Sequence, residues 1–293
     1  MRFSRFMVAA LVAVGFVLSF AASSQAVITV WVPFDTDKDG KAPGQPFPHF
    51  FDNPGASRPL GPGQPGFGNA LSGSGGAANW CGDGTSCFMN DGSVTGAEGT
   101  IEFWVSPNWD GTNQGGGGVG GSGARQEFLH MGGTSVGPTA GVNIGIFNNN
   151  FPNDGGQLFA SVKDTDSSNK IIESNDAFGP NFTGSTRDWT IGSWHHIAFT
   201  WDASTYTTWM DGDRIGQVAA GTGVAWPADM WLGGAGGPSA AFNGKIDDFT
   251  IRNNVQYDPS LESYTVPNAP APEPATVLFL VAGGLLAGVR RRK

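Results

Sequence analysis

Between Ile191 and Gly216 the chain reads IGSWHHIAFTWDASTYTTWMDGDRIG, and it alternates. His195, Ile197, Phe199 and Trp201 fall on one side of an extended backbone, and Trp194, His196, Ala198 and Thr200 on the other. That is the period of two that a strand imposes and a helix cannot sustain. A second extended run, Tyr206 to Met210, is separated from a third, Arg214 to Val218, by Asp211-Gly212-Asp213. Asp-Gly between such runs predicts a tight hairpin, because the favoured turns hold their central residues at positive φ. The core is therefore expected to be antiparallel β. Gly99 to Val105 reads the same way, with Ile101, Phe103 and Val105 on one face and Glu102 and Trp104 on the other. Further strand-like pieces follow at Gln126 to His130, Val142 to Phe147 and Gln157 to Val162, separated by turns rich in Asn and Asp. Outside the two ends of the chain no segment keeps a helical period, and short strands at such intervals indicate a sandwich.

The string Trp194-His195-His196-Ile197-Ala198, the pairs Trp201-Asp202 and Asp211-Gly212, the run from Gly244 through Asp247 to Ile251, and GTIEFWVSPNWDG upstream together resemble the laminin-G-like jelly-roll domains of the concanavalin A-like lectin/glucanase superfamily. The match runs over roughly residues 79–258, and the resemblance implies an antiparallel jelly-roll β-sandwich, with 79–264 as the domain. It does not fix the activity, since this fold carries lectins, adhesion modules and glycosidases alike. The hydrolase branch bears a Glu-x-Asp-x-x-Glu strand that pairs its carboxylates, and no such string occurs here. Glu98, Glu102, Glu127, Glu173 and Glu262 are scattered through the body. The expectation is a protein without catalysis; the rival is a glycoside hydrolase of the same fold.

Both ends read as targeting segments. Arg2 and Arg5 precede the apolar run Phe6 to Ala22, and Ser24-Gln25-Ala26 supplies small residues where a signal peptidase reads, so residues 1–26 are expected to form a signal helix removed after Ala26. An uncleaved N-terminal anchor is the alternative. At the other end a Pro-rich linker, 265–274, closes on Pro272-Glu273-Pro274, followed by an uncharged apolar run from Ala275 to Val289 and by Arg290-Arg291-Arg292-Lys293. As a helix that run would be roughly 22 Å long against a hydrocarbon core of ~30 Å, which suits transient anchoring with the basic end on the cytoplasmic side. This tail, 275–293 with its motif, resembles the PEP-CTERM sorting signal of Gram-negative bacteria. The resemblance implies cleavage near Pro272 to Pro274 by an exosortase-type enzyme and delivery across the inner membrane to the cell surface or matrix, with a plain membrane anchor as the alternative.

Of the 16 Lys and Arg, Arg2, Arg5 and the last four residues belong to the ends, which leaves ten against 25 Asp and Glu. So acidic a body argues against nucleic acid and anionic lipid as partners, and leaves an extracellular glycan or matrix protein, or a cation.

Residues 27–78 read as a first strand, Val27 to Phe34, followed by a stretch rich in Pro and Gly that is expected to be a surface loop or arm. Asp35, Asp37 and Asp39, with Gly40, repeat the first half of a calcium loop; Pro46 stands where an EF-hand needs its bidentate Glu, so an acidic turn is the plain alternative. Cys81 and Cys87 enclose five residues, and in an exported chain such a pair is expected to close a disulfide.

Strict alternation puts Asp247 on the face of Phe249 and Ile251, where a carboxylate needs a cation or several donors. Resemblance to jelly-roll enzymes that hold a structural Ca²⁺ at the matching position makes Asp247 a candidate ligand alongside Asp35, Asp37 and Asp39; an Asp tied to backbone amides is the alternative. His195 and His196 point to opposite faces and cannot clasp one ion. For a sugar, the aromatic rings expected near loops are Trp109, Trp226 and Trp231, whereas Trp104, Trp194, Trp201 and Trp209 lie within strands. The sequence thus predicts an exported, non-catalytic jelly-roll protein that binds carbohydrate or protein, with a purely structural surface protein as the rival.

Overall fold

The structure, a computed structural model, describes residues 28–32, 39–40, 49–50, 60–72, 88–89, 96–108, 125–131, 140–147, 158–173, 189–227, 229–233, 242 and 244–268. Its strands are β1 (Ile28–Val32), β2 (Asp39–Gly40), β3 (His49–Phe50), β4 (Leu60–Pro62), β5 (Asn69–Ser72), β6 (Phe88–Met89), β7 (Gly99–Pro107), β8 (Arg125–Met131), β9 (Val142–Phe147), β10 (Leu158–Lys163), β11 (Asn169–Glu173), β12 (His195–Trp201), β13 (Thr205–Met210), β14 (Asp213–Ala219), β15 (Asp229–Leu232) and β16 (Gly244–Arg252). One sheet of eight strands runs β14-β13-β12-β7-β16-β5-β4 with β1 also paired to β16, and a second of six runs β11-β10-β9-β8-β15-β6. Consecutive strands of these sheets pair antiparallel, as the alternation predicted.

The predicted hairpin is present. Met210 faces Asp213 across a two-residue turn in which Asp211 and Gly212 have φ of 53° and 88°. That is the left-handed pair that Asp-Gly accommodates most cheaply. On the other flank of β12, the pairing of Ile197 with Phe103 and of Phe199 with Ile101 joins β7 so that every second residue of both strands enters the core.

The core fills the space between the sheets. Ile101, Phe103, Val105, Ile197, Phe199, Ile246 and Ile251 of the first sheet meet Leu129, Met131, Ile144, Ile146, Ala160 and Val162 of the second, all buried. Phe103 reaches across to Phe128 edge-on at 6.3 Å, and Phe128 meets Phe242 at 4.7 Å. Each such side chain withdrawn from water stabilises the fold by roughly 1.5–3 kcal/mol.

Two expectations need correction. The stretch read as a surface arm contributes β4 and β5 to the first sheet, where Leu71 pairs with Ile246 and Leu60 with Leu71. Pro is tolerated because Pro62 lies in β4, the outermost strand, which needs no second row of hydrogen bonds. Along one edge of β16, Lys245 and Ile246 pair with β5 and Phe249 to Arg252 pair with β1, so the two N-terminal segments share that edge end to end. The second correction concerns Asp247. A bulge lies between Asp247 and Thr250, with Asp248 at φ 46°. The extra residue resets the alternation, so Ile246, Phe249 and Ile251 all point inward while Asp247 shares the outer face with Trp104, its cross-strand neighbour.

That outer face is covered by the chain that follows β16. Tyr257 and Tyr264 stack at 3.6 Å and 14°, and pack with Ala198 and Trp209 on the back of β12 and β13. Arg214 donates to Pro259 O and to Glu262, and Tyr264 N donates to Gly212 O at 2.7 Å. This strap, 253–266, buries polar groups of the sheet: Glu102 accepts from Arg252 Nε at 2.8 Å and from the Tyr257 hydroxyl, and His196 is 1% exposed.

Candidate functional site

At the end of the sandwich where β12 passes into β13, loops from both sheets enclose a cleft of about 420 Å³ lined by Trp201, Asp202, Tyr206, Thr165, Thr222 and Trp226, among others. The turn after β10 and the segment after β14 are sewn together to form its wall. Thr165 N donates to Gly223 O at 2.9 Å, Thr165 Oγ1 to Thr222 Oγ1 at 2.8 Å, and Ala225 N to Lys163 O at 2.8 Å. The close approach depends on Gly221, where a Cβ would run into Asp164 Oδ2.

Trp201 is the fixed back of the cleft. It is 3% exposed, and its Nε1 donates to Gly96 O at 3.0 Å. Half-buried Trp226 packs on it with ring centroids 4.8 Å apart and planes inclined by 58°. Tyr206 donates its hydroxyl to Asp164 Oδ1 at 2.5 Å; burial, and then that hydrogen bond, hold its pKa well above the ordinary phenol value, so it stays protonated. Asp202 uses Oδ1 to accept Ser204 N at 2.6 Å and Thr205 N at 2.7 Å, while Oδ2 meets, among the described residues, only Thr205 Oγ1 at 3.4 Å. An indole face beside hydroxyls and a carboxylate is the surface that a sugar ring uses, its C–H face on the ring and its hydroxyls on the polar groups.

Of the residues that the sequence singled out, the structure brings Trp226 into this cleft. Trp231 is in the four-residue strand β15, opposite His130 of β8. Asp39 pairs through its backbone with Phe50 in the β2–β3 ribbon. Trp109, Asp35, Asp37, Cys81, Cys87, the processing site after Ala26 and the Pro272-Glu273-Pro274 motif lie outside the described residues, as do the signal and sorting segments. Asp247 is fully buried, and its Oδ2 accepts Gln64 N at 3.0 Å and its Oδ1 accepts Asp248 N at 2.9 Å. Among the described residues no three His, Cys, Asp or Glu side chains are grouped to hold a metal ion. The sequence reading missed Tyr206, Asp202, Thr165 and Thr222 as neighbours, because separate segments deliver them. The one local signal was the Trp201-Asp202 pair that ends the alternating run.

A second polar constellation lies at the opposite end of β12. Ser193 Oγ is 2.9 Å from His195 Nε2, and His195 Nδ1 is 2.8 Å from Asp211 Oδ2. The connectivity is that of a nucleophile, a base and an orienting carboxylate. The surroundings are those of a turn. Ser193 Oγ also donates to Thr190 O at 2.6 Å, while the Ser193 and Gly192 amides, the donors nearest a developing oxyanion, are bound to Thr190 O and Pro107 O. The trio ties the loop before β12 to the β13–β14 turn.

A two-layer antiparallel sandwich with a loop-end cleft defines the class of protein. The concanavalin A-like lectin/glucanases superfamily matches residues 82–256, and the chain belongs to it. The PEP-CTERM protein-sorting motif matches residues 270–293, which marks the protein for export and cell-surface sorting in bacteria with exosortase processing. A search of curated proteins gave no match. Among solved structures the chain is similar to domain 4 of a GH43 extracellular arabinanase from Geobacillus stearothermophilus in complex with arabinotriose, at 17% identity and a TM-score of 0.49, covering 79% of this chain and 95% of that one. It is similar to the binding domain of Paraclostridial Mosquitocidal Protein 1 at 14% identity and a TM-score of 0.43, covering 68% of this chain and only 43% of that one. It is also similar to the CBM40 of a Ruminococcus gnavus IT-sialidase bound to α2,3 sialyllactose, at 17% identity and a TM-score of 0.36, covering 55% of this chain and 78% of that one.

Proposed function

We propose that this protein is a non-catalytic carbohydrate-binding component of the cell surface or exopolysaccharide matrix of a Gram-negative bacterium, and that it binds its glycan in the cleft at Trp226. The observation that carries the reading is the juxtaposition of the half-buried Trp226 with Asp202, Tyr206, Thr165 and Thr222 at the loop end of an exported sandwich. Tyr206 and Asp164 hold each other, and the threonine contacts hold the two loops, so the surface is preorganised and little ordering entropy opposes binding. The sorting motif supports export and exosortase processing, and the proposed route adds transient anchoring through the C-terminal tail before trimming.

A glycan array probed with the exported protein tests it. Binding to a defined saccharide class, with no reducing sugar released from that glycan on long incubation, is the expected result. An array without a hit would favour a purely structural surface protein, and steady release of reducing sugar would make the protein a hydrolase.

A further inference from the structure

We propose that the cleft takes the terminal unit of a neutral saccharide and turns acidic saccharides away, an inference that rests on the cleft being a sugar site. The first ground is charge. Among the described residues no Lys, Arg or His lines the cleft, whereas Asp202 stands in its wall and Asp164 lies directly behind Tyr206. Asp166, next to the lining Thr165, and Glu98, next to the lining Ala97, are both exposed. Lys163 Nζ donates to Ser167 O at 2.5 Å, and Lys170, whose Cε lies 3.3 Å from where a Cβ on Gly221 would sit, stands behind the cleft wall and not among its lining residues. A sugar carboxylate entering here would meet like charge and find no guanidinium or ammonium among the described lining residues to pair with.

The second ground is shape. Trp201 is 3% exposed, so among the described rings of the cleft Trp226 offers the stacking face, and the 58° inclination of the two rings prevents them from forming one flat platform. The walls come from loops of both sheets at the end of the sandwich rather than from the length of a sheet face. One ring face between such walls suits one sugar unit. A polymer is then held by its end.

The test is calorimetry on the exported protein with trisaccharides matched in stereochemistry, ending in glucose or glucuronate, galactose or galacturonate, mannose or mannuronate. At least one neutral member is expected to bind and its acidic partner to bind about tenfold more weakly or worse. The gap should shrink in Asp202→Asn and at high salt, where exposed charge is screened. Affinity per chain should stay the same when the neutral ligand is lengthened from three units to ten. Equal or tighter binding of the acidic partner, or affinity per chain that grows with length, overturns the inference; if Trp226→Ala still abolishes that binding, the cleft remains a sugar site. Binding unchanged in Trp226→Ala, or no binding by any pair, overturns both.

Discussion

The hydroxyl of Tyr264 lies 2.6 Å from Nδ1 of His196, so the last turn of the strap is hydrogen-bonded to the middle of the sheet's outer face. His196 Nε2 faces Glu102 Oε2 at 3.6 Å, and burial pushes the Tyr264 phenol pKa up, which keeps its proton in place. This assigns the Nε2–H tautomer, with Nδ1 accepting from Tyr264.

Burial lowers the His196 pKa from 6.5 to about 4, the charges of Glu102 and Asp211 only partly opposing it. Above pH 6.5 the imidazole is neutral in both folded and unfolded chains, so its contribution to stability is complete and flat. Between pH 6.5 and 4 the unfolded chain takes up a proton that the folded one refuses, and stability falls. The total loss from this group is on the order of 3 kcal/mol. Urea midpoints at pH 7 and pH 4.5 should show it, and His196→Gln, less stable at pH 7, should lose most of the slope across that window. A variant with the wild-type slope would contradict the account.

The strap is predicted to be part of the domain rather than a spacer to the sorting tail. Tyr264→Ala removes a stacked ring and leaves His196 without its donor, at a cost of about 2–4 kcal/mol. Thermal unfolding of the exported protein measures this, and a Tm within 2 °C of wild type would show that the strap adds little.

Gly221→Ala is expected to disturb stability and site together. The new methyl must displace the Asp164 carboxylate, which breaks its hydrogen bond with Tyr206 and opens the seam between Thr165 and Thr222, for a loss of about 1–3 kcal/mol. Chemical denaturation together with glycan binding reads both effects. Full binding by a fully stable variant would mean that the seam does not shape the cleft.

Asp247 has an amide on each carboxylate oxygen, which supports the reading of an Asp tied to backbone amides. We expect EDTA to leave the Tm unchanged. A drop of several degrees, reversed by Ca²⁺ alone, would instead bring Asp247 and the loop of Asp35, Asp37 and Asp39 together as a structural calcium site.

The alternating runs made the fold legible. Period two over His195 to Trp201 and over Ile101 to Val105 specified strands and the side chains that share a face, and Asp-Gly between later runs specified a hairpin, whereas the pairing of β12 with β7 needed tertiary information. Alternation misled at Asp247, because a one-residue bulge inverts every later side chain and leaves no mark in composition; only Asp248 at positive φ betrays it. The strands β4 and β5 were hidden because Pro and Gly mask β propensity, and an edge position relaxes the demand for it. The strap was illegible for a different reason. Tyr257 and Tyr264 follow no period and acquire meaning only against Ala198 and Trp209. At the site, Trp226 was foreseeable as an aromatic ring near a loop, but Thr165 and Thr222, 57 positions apart, are neighbours only through the meeting of the two sheets.

The central claim is that the Trp226 ring holds the glycan. Titration calorimetry of wild type and Trp226→Ala against the array's best saccharide tests it most directly. Losing the one stacking ring in a preorganised cleft should cut affinity by at least about tenfold, roughly 1.4 kcal/mol, while far-ultraviolet circular dichroism shows the β-sandwich retained. Equal affinity in the two proteins would contradict the account.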